Sequence, residues 1–138
     1  MVARQHRSFR LDPAILDRLA QQAKRSGLSQ SALIERYVDE GLRQEEHRGI
    51  IFVDEPAGRR ARVAGTGLDV WEVVETVQDN DGSTADAADY LAVPERFVLA
   101  AMRYYADYAY EIDAWSEEND RLYEEEVRRA RRVADALG

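Results

Sequence analysis

A single predicted strand opens the chain, and a lone strand limits how the first 43 residues can fold. Residues 4–11 alternate in polarity, with Phe9 and Leu11 on one face. The other face carries His6, Ser8 and Arg10. One strand leaves N–H and C=O groups unpaired along both edges, so it is stable only when another strand pairs with it. A second copy of the chain is the natural partner, and the pattern therefore predicts an intermolecular two-stranded ribbon.

Two amphipathic helices follow this strand. Asp12 and Pro13 are typical of a helix start, and Gly27 of a helix end. Ser29 begins a second helix that we expect to run to about Leu42. The first helix has its apolar face at Ile15, Leu16, Leu19, Ala20 and Ala23. The second has its apolar stripe at Leu33, Ile34, Tyr37, Val38 and Leu42. Residues 1–43 are thus predicted to form a strand–helix–helix module that dimerises.

Charge is distributed unevenly along the 138 residues. The chain has a net charge of −8, yet residues 1–43 hold eight Lys/Arg and five Asp/Glu, a net charge of +3. Residues 44–110 have a net charge of −7 and residues 111–138 of −4. A basic N-terminal module on an acidic body indicates that one end meets phosphate while the rest binds something else. These three segments are the domain organisation that we expect.

Several functional classes lack support in the sequence. The chain has no cysteine, which excludes thiolate metal sites and suits a reducing cytoplasm. We expect no membrane span, because no segment approaches about 18 consecutive apolar residues. His6 and His47 lie far apart, and no nucleophile elbow, phosphate-binding loop or metal-ligand spacing occurs. We therefore predict a cytoplasmic protein that is not an enzyme and needs no cofactor or metal.

Residues 44–110 predict a small hairpin followed by helices. Strand candidates lie at residues 49–53 and 59–63, joined by a turn. Residues 70–77 and a short segment from Ser83 or Thr84 to Tyr90 read as helices. A third helix follows Pro94, and this order is similar to a trihelical helix-turn-helix-like unit. A DNA-reading helix in this unit is disfavoured by the acidic surroundings. The three arginines of the second strand candidate are expected to form a solvated strand face or an ion-pair ladder instead of a nucleic-acid patch; they are Arg59, Arg60 and Arg62.

A long helix is predicted from Glu95 to about Ala134, either as one helix or as two nearly continuous ones. Its apolar stripe steps by three and four residues, with Asn119 as the one polar member. Tyr104, Tyr105 and Tyr108 are expected mostly in the core, and Trp115 mostly at an interface. The second half has little left in this chain to cover it, which implies an intermolecular partner.

Residues 4–43 resemble the CopG/Arc/MetJ-type ribbon-helix-helix family. The resemblance rests on the alternating strand, the strand-end Leu-Asp-Pro, the Gly-Leu-Ser between the helices and the Ser-x-Ser-Ala-Leu-Ile start of helix two. By position, the base edges of DNA would be contacted by His6, Ser8 and Arg10. Phosphates would be contacted by Arg4, Ser29, Gln30 and Ser31. The alternatives are a frayed basic tail for the strand and plain helix capping by Ser29.

Residues 47–110 resemble a small domain of unknown function that is common in bacterial antitoxins. The resemblance rests on Arg59–Val63, GTGLDVWEVVE and STADAADYLAVPERFVLAAMRYYAD, although Gly67 and Asp69 replace the usual Arg and Pro. Together the two resemblances look like a VapB-type antitoxin. They imply a mainly α fold, with a ribbon-helix-helix module before a small hairpin and a trihelical domain with a long C-terminal helix. They also imply a homodimer that binds operator DNA, pairs of which could form tetramers.

The resemblance implies a toxin partner, a PIN-like ribonuclease, bound by the extension at residues 111–138. The expected contacts are Trp115, Arg121, Leu122, Arg128, Arg129 and Arg132. One arginine could enter a carboxylate-lined metal site, because a guanidinium forks onto carboxylates. The alternative is an exposed helix held by Glu124–Arg128 and Glu125–Arg129 pairs. Rival functions are a stand-alone repressor with a self-associating C-terminal domain and a scaffold that does not bind DNA.

Overall fold

The computed structural model describes residues 2–138, which contain five helices and one three-stranded sheet. The elements are α1 Pro13–Ser26, α2 Gln30–Glu46, β1 Ile50–Glu55, β2 Gly58–Val63, β3 Leu68–Asp69, α3 Val70–Asp79, α4 Thr84–Leu91 and α5 Glu95–Leu137. The chain divides into two compact units, Met1–Arg43 and Gln44–Gly138. None of the helices in residues 2–138 combines the length and apolar character of a membrane span. The predicted mainly α fold is confirmed.

The two helices of the first unit begin and end as their capping residues predict. The Asp12 carboxylate accepts a hydrogen bond from the Ala14 N–H at 2.8 Å. Gly27 closes α1 in the left-handed conformation, with φ of 72°. Ser29 Oγ accepts from the Ala32 N–H at 3.1 Å and so caps α2. Only the end of α2 differs from the prediction, because the helix continues past Leu42 to Glu46.

The predicted strand at residues 4–11 is not a strand in the single chain. Residues 2–12 have no regular secondary structure there. A strand exists only through hydrogen bonds to a neighbour, and no other segment within residues 2–138 pairs with this one. This result fits a ribbon whose second strand must come from another copy.

The second unit begins with a three-stranded antiparallel sheet in the order β1-β2-β3. The predicted hairpin is confirmed, with Ile50 opposite Val63 and Glu55 opposite Gly58. The third strand was not predicted, since two residues are too short for an alternating pattern to be visible. It places Asp69 directly opposite Arg62 in the sheet.

α3 and α5 pack against this sheet, and α4 packs on these two helices to complete the core. The buried apolar residues come from the sheet, α3, α4 and the first part of α5. They include Val63, Val70, Val73, Val98, Ala101 and Tyr104. Ser83 caps α4, since its Oγ accepts from the Asp86 N–H at 3.1 Å. The predicted helix–turn–short helix–turn–helix order is therefore confirmed.

α5 changes direction at Tyr108, where the backbone leaves the helical region with φ of −129° and ψ of 34°. A buried histidine lies against this point. His47 Nε2 lies 2.7 Å from Asp107 Oδ2. Its ring packs edge-on against Tyr104 and Tyr108, with ring centroids 5.3 and 5.9 Å away. The contacts of the His47 ring with Tyr104 and Tyr108 therefore lie at the turn of α5 where the backbone departs from helical geometry.

Candidate nucleic-acid interface and C-terminal arm

The first unit has an apolar face that the single chain leaves uncovered. Leu19 and Leu33 are buried, whereas Phe9 is 82% exposed, Val38 56% and Leu42 58%. The same face includes the exposed residues Leu11, Ile15, Leu16, Ile34 and Tyr37. A contiguous apolar face of this size marks a surface that another molecule covers.

The polar residues that precede α1 are all exposed. His6, Ser8 and Arg10 alternate with the apolar residues and lie open to solvent. Arg4 Nη2 lies 3.6 Å from Glu35 Oε1, and both side chains are largely exposed. A pair this exposed contributes little free energy, so the Arg4 guanidinium can leave Glu35 for a phosphate at small cost.

The start of α2 presents a second polar surface. Ser29 Oγ satisfies the Ala32 N–H, while Gln30 and Ser31 are exposed in the first turn. The first amides of a helix have no acceptor within the helix and lie at the positive end of its dipole. Helix capping by Ser29 is confirmed, and an anion could still bind beside it.

A buried carboxylate organises one side of the second unit. Asp69 is 3% exposed and accepts hydrogen bonds from Arg60 Nη1 at 3.1 Å, Arg62 Nε at 3.0 Å and Trp71 Nε1 at 3.1 Å. Arg62 also donates to Glu55 at 2.6 Å. The hydrogen bonds to Asp69 and Glu55 raise the pKa of the Arg62 guanidinium above its ordinary value.

The arginines of β2 therefore form ion pairs, as the sequence indicated, and Asp69 is the residue that sequence reasoning missed. Its signal was the spacing Asp69-x-x-Glu72 before a valine-rich segment, which is typical of a capping box. The Glu72 carboxylate accepts from the Asp69 N–H at 3.1 Å. The same aspartate thus begins α3 and neutralises the arginine side chains on β2.

Trp115 has a partner within its own chain. The Arg60 guanidinium lies 4.7 Å from the centroid of the Trp115 ring. A Cβ added at Gly58, where φ is 135°, would lie 3.0 Å from Trp115 Cη2. The indole therefore packs on the hairpin and is half-buried there. Its contact with another protein stays a prediction.

The helix beyond Trp115 has little intrachain cover, and we call residues 116–137 the C-terminal arm. Leu122, Arg121, Arg128, Arg129 and Arg132 are all exposed. Arg121 bonds to Glu118 and, at 2.6 Å, to Glu125, and the hydrogen bond from Arg121 lowers the pKa of the Glu118 carboxyl. Arg129 lies 3.6 Å from Glu126. The predicted Glu124–Arg128 and Glu125–Arg129 pairs are wrong, because within residues 2–138 Glu125 pairs with Arg121 and Arg129 with Glu126.

An acidic groove lies along α3, and the titration of its residue Glu75 can be tested. It is lined by Trp71, Glu72, Glu75, Thr76, Asp79, Asn80 and Tyr90. Desolvation, together with the charges of Asp120, Asp79 and Glu72, raises the pKa of Glu75 above its ordinary value. In the part of the chain that the structure describes, no group of three or more His, Cys, Asp or Glu could hold a metal ion.

Replacing Glu75 with glutamine is expected to stabilise the second unit at neutral pH. A carboxyl with a raised folded pKa stabilises the fold only when protonated, and this contribution is lost as the pH rises through that pKa. Glu75→Gln should raise the free energy of unfolding by about 0.5 kcal/mol at pH 7. Urea unfolding should show the gain vanishing at acidic pH, where the carboxyl is protonated in both the folded and the unfolded state. The exposed control Glu45→Gln should change little, and an equal gain at both pH values would contradict the prediction.

The first unit thus combines an unpaired N-terminal segment with a basic polar face, an uncovered apolar face and two capped helices. Residues 8–45 match the model of the ribbon-helix-helix protein, copG family. This class consists of DNA-binding transcription regulators, and its members bind DNA as dimers with a two-stranded ribbon. The match covers about a quarter of the chain. No curated protein and no solved structure is significantly similar to the chain.

Proposed function

We propose that the chain represses its own operon as a dimer and also acts as the antitoxin of a type II toxin–antitoxin pair. The observation that carries the first part is the uncovered apolar face beside the basic residues 4–10. A second copy covers that face and supplies the missing strand. The resulting ribbon has the width that a DNA major groove admits.

Each candidate DNA-contacting residue of the module has a role in this proposal. The ribbon presents His6, Ser8 and Arg10 to base edges. Phosphates are bound by Arg4, Ser29, Gln30 and Ser31, the last three at the positive end of α2. Because phosphate contacts release counterions, operator affinity falls steeply as the salt concentration rises.

Replacing Arg10 with alanine is expected to weaken operator binding and to relax its sequence preference. An arginine that forks onto a guanine contributes roughly 1–3 kcal/mol of discrimination, which is a factor of about 5 to 150. Fluorescence anisotropy with the DNA upstream of the coding sequence and with scrambled DNA measures both effects. Arg18→Ala removes the same charge from α1 and serves as the control. Unchanged affinity and preference for Arg10→Ala would contradict base contact.

The antitoxin part is supported by the C-terminal arm, which presents apolar and arginine side chains that the chain itself does not cover. We propose that a PIN-like ribonuclease binds there through Arg121, Leu122, Arg128, Arg129 and Arg132, with Trp115 at the base of the arm. An arginine directed at a carboxylate-lined metal site would compete with the metal for the carboxylates. Toxin bound to the arm could then hold dimers together on DNA or remove them from it.

Purification of the tagged chain from its own host, followed by an RNA cleavage assay, tests this proposal. A small protein that stays bound until denaturation, and cleaves RNA only after the chain is removed, would support the antitoxin function. Arg→Ala substitutions at 121, 128, 129 and 132 should then restore cleavage. Full inhibition by those variants would exclude an arginine at the metal site. Recovery of the chain with no other protein would favour the stand-alone repressor.

A further inference from the structure

The C-terminal arm carries an apolar seam that has no cover in the chain. Apolar residues at alternating four- and three-residue steps are Tyr123, Val127, Ala130, Ala134 and Leu137. Tyr123 is 69% exposed and Leu137 83% exposed. This spacing places the five residues along one side of α5, which is the pattern of a helix that packs against another helix.

The part of α5 just before the arm packs within its own unit. Ile112 is buried in the core, and the next turn brings Trp115 onto Gly58 and Arg60. Beyond this turn α5 extends over 22 further residues, or about 33 Å at a rise of 1.5 Å per residue. That length is about three heptads, enough for a short two-helix contact.

The charges of the arm are divided between its two halves. Residues 117–126 hold six carboxylates and one arginine, a net charge of −5. Residues 127–137 hold four arginines and one aspartate, a net charge of +3. Within residues 2–138, Arg128, Arg131 and Arg132 form no ion pair. The basic half therefore retains guanidinium groups for a partner of opposite charge.

We propose that the arms of two copies pair with each other as antiparallel helices. Antiparallel pairing places residues 117–126 of one copy beside 127–137 of the other, so opposite charges meet along the whole contact. Parallel pairing would place carboxylates beside carboxylates and arginines beside arginines, which is unfavourable. Charge complementarity therefore favours a second copy as the partner of the arm and favours antiparallel pairing.

Near Val127 the seam also fits this direction. When Val127 faces its own counterpart, Tyr123 lies opposite Ala130, so a large side chain meets a small one. Leu122 and Val133 flank the seam on the same side of the helix and add apolar area. An antiparallel pair is two-fold symmetric, so it closes on two arms and does not propagate into a filament.

The pairing goes beyond the proposed function, because it needs neither DNA nor a toxin. It describes the state of the arm in the free protein. A protein that binds the same arm must displace the partner arm. Arm pairing therefore lowers the apparent affinity of the arm for that protein. Arms from one dimer or from two dimers can pair, and these cases give a dimer and a tetramer respectively.

Disulfide cross-linking of the full chain tests the direction, because the native chain has no cysteine. Val127→Cys places thiols next to each other at the symmetric centre. Ala134→Cys separates them by roughly 20 Å in an antiparallel pair, since each lies seven residues from the centre. Under mild oxidation, Val127→Cys should cross-link at least tenfold faster than Ala134→Cys. Equal rates, or no cross-linking of either variant, would overturn the proposal.

A charge variant tests the electrostatic part of the argument. Arg131→Glu combined with Arg132→Glu in the Val127→Cys chain should slow cross-linking by tenfold or more. Arg48→Glu with Arg103→Glu makes the same charge change at exposed positions outside the arm and should leave the rate unchanged. Equal slowing by both pairs would overturn the role of charge complementarity. Operator binding, measured in parallel, reports on the N-terminal module and so separates failure of the arm proposal from failure of the proposed function.

Discussion

Asp69→Ala is expected to lower the free energy of unfolding of the second unit by about 3–5 kcal/mol. The carboxylate is buried and accepts hydrogen bonds from Arg60, Arg62 and Trp71. Removing it leaves two largely buried guanidinium groups beside each other, and Arg60 Nε already lacks a hydrogen-bond partner in the described chain. A domain of this size has a total stability of only about 5–15 kcal/mol, so such a loss is a large part of it.

Tryptophan fluorescence during urea unfolding measures this effect selectively. Trp71 donates to Asp69 and Trp115 packs on Arg60, and these are the two tryptophans of the chain. The matched control is Asp54→Ala, which removes a carboxylate that is 73% exposed and lies 3.2 Å from Arg59. Exposed pairs contribute at most about 1 kcal/mol, so this variant should unfold almost as the native chain does. Equal losses from both variants would show that burial of Asp69 is unimportant.

Val38→Glu is expected to abolish dimer formation and operator binding together. Val38 lies on the uncovered face of α2 and is 56% exposed in the single chain. If a second copy covers this face, the substitution loses apolar burial and places an unpaired carboxylate in the contact. The cost is about 3 kcal/mol or more, which weakens dimerisation by at least a factor of about 100.

Sedimentation and anisotropy measurements on the same samples test the link between dimerisation and DNA binding. The control Gln21→Glu adds the same carboxylate at an exposed polar position of α1 and should form dimers that bind the operator. A Val38→Glu chain that stays dimeric would contradict the proposed dimer surface. A monomer that still binds the operator with full affinity would contradict the ribbon.

The local structure of this protein could be predicted from sequence because its signals lie within a few residues of each other. Asp12, Gly27 and Ser29 delimit the first helices through hydrogen bonds to their own neighbours. The hairpin and the long helix follow from alternation and from three- and four-residue spacing in the same way. The candidate DNA-contacting residues came from the resemblance to the ribbon-helix-helix family and stay predictions, whereas the match at residues 8–45 supports the module itself.

Other features depend on contacts between residues that are far apart in the chain. The periodicity of the sequence does not reveal those contacts. Arg60 and Arg62 read as a solvated strand face or an ion-pair ladder until β3 brings Asp69 opposite Arg62. Trp115 was expected mostly at an interface, and its packing on Gly58 within the chain was not predicted. The kink at Tyr108 likewise coincides with contacts to His47, some 60 residues away.

The sequence by itself thus determined the helices, the basic module and the need for a second strand, because backbone hydrogen bonding and amphipathic spacing are local. The tertiary structure alone decided that Asp69 is buried, that Trp115 packs on the hairpin and that the arm lacks cover within the chain. Burial and ion pairing depend on the distance between residues that are remote in the chain, and only the folded packing sets that distance.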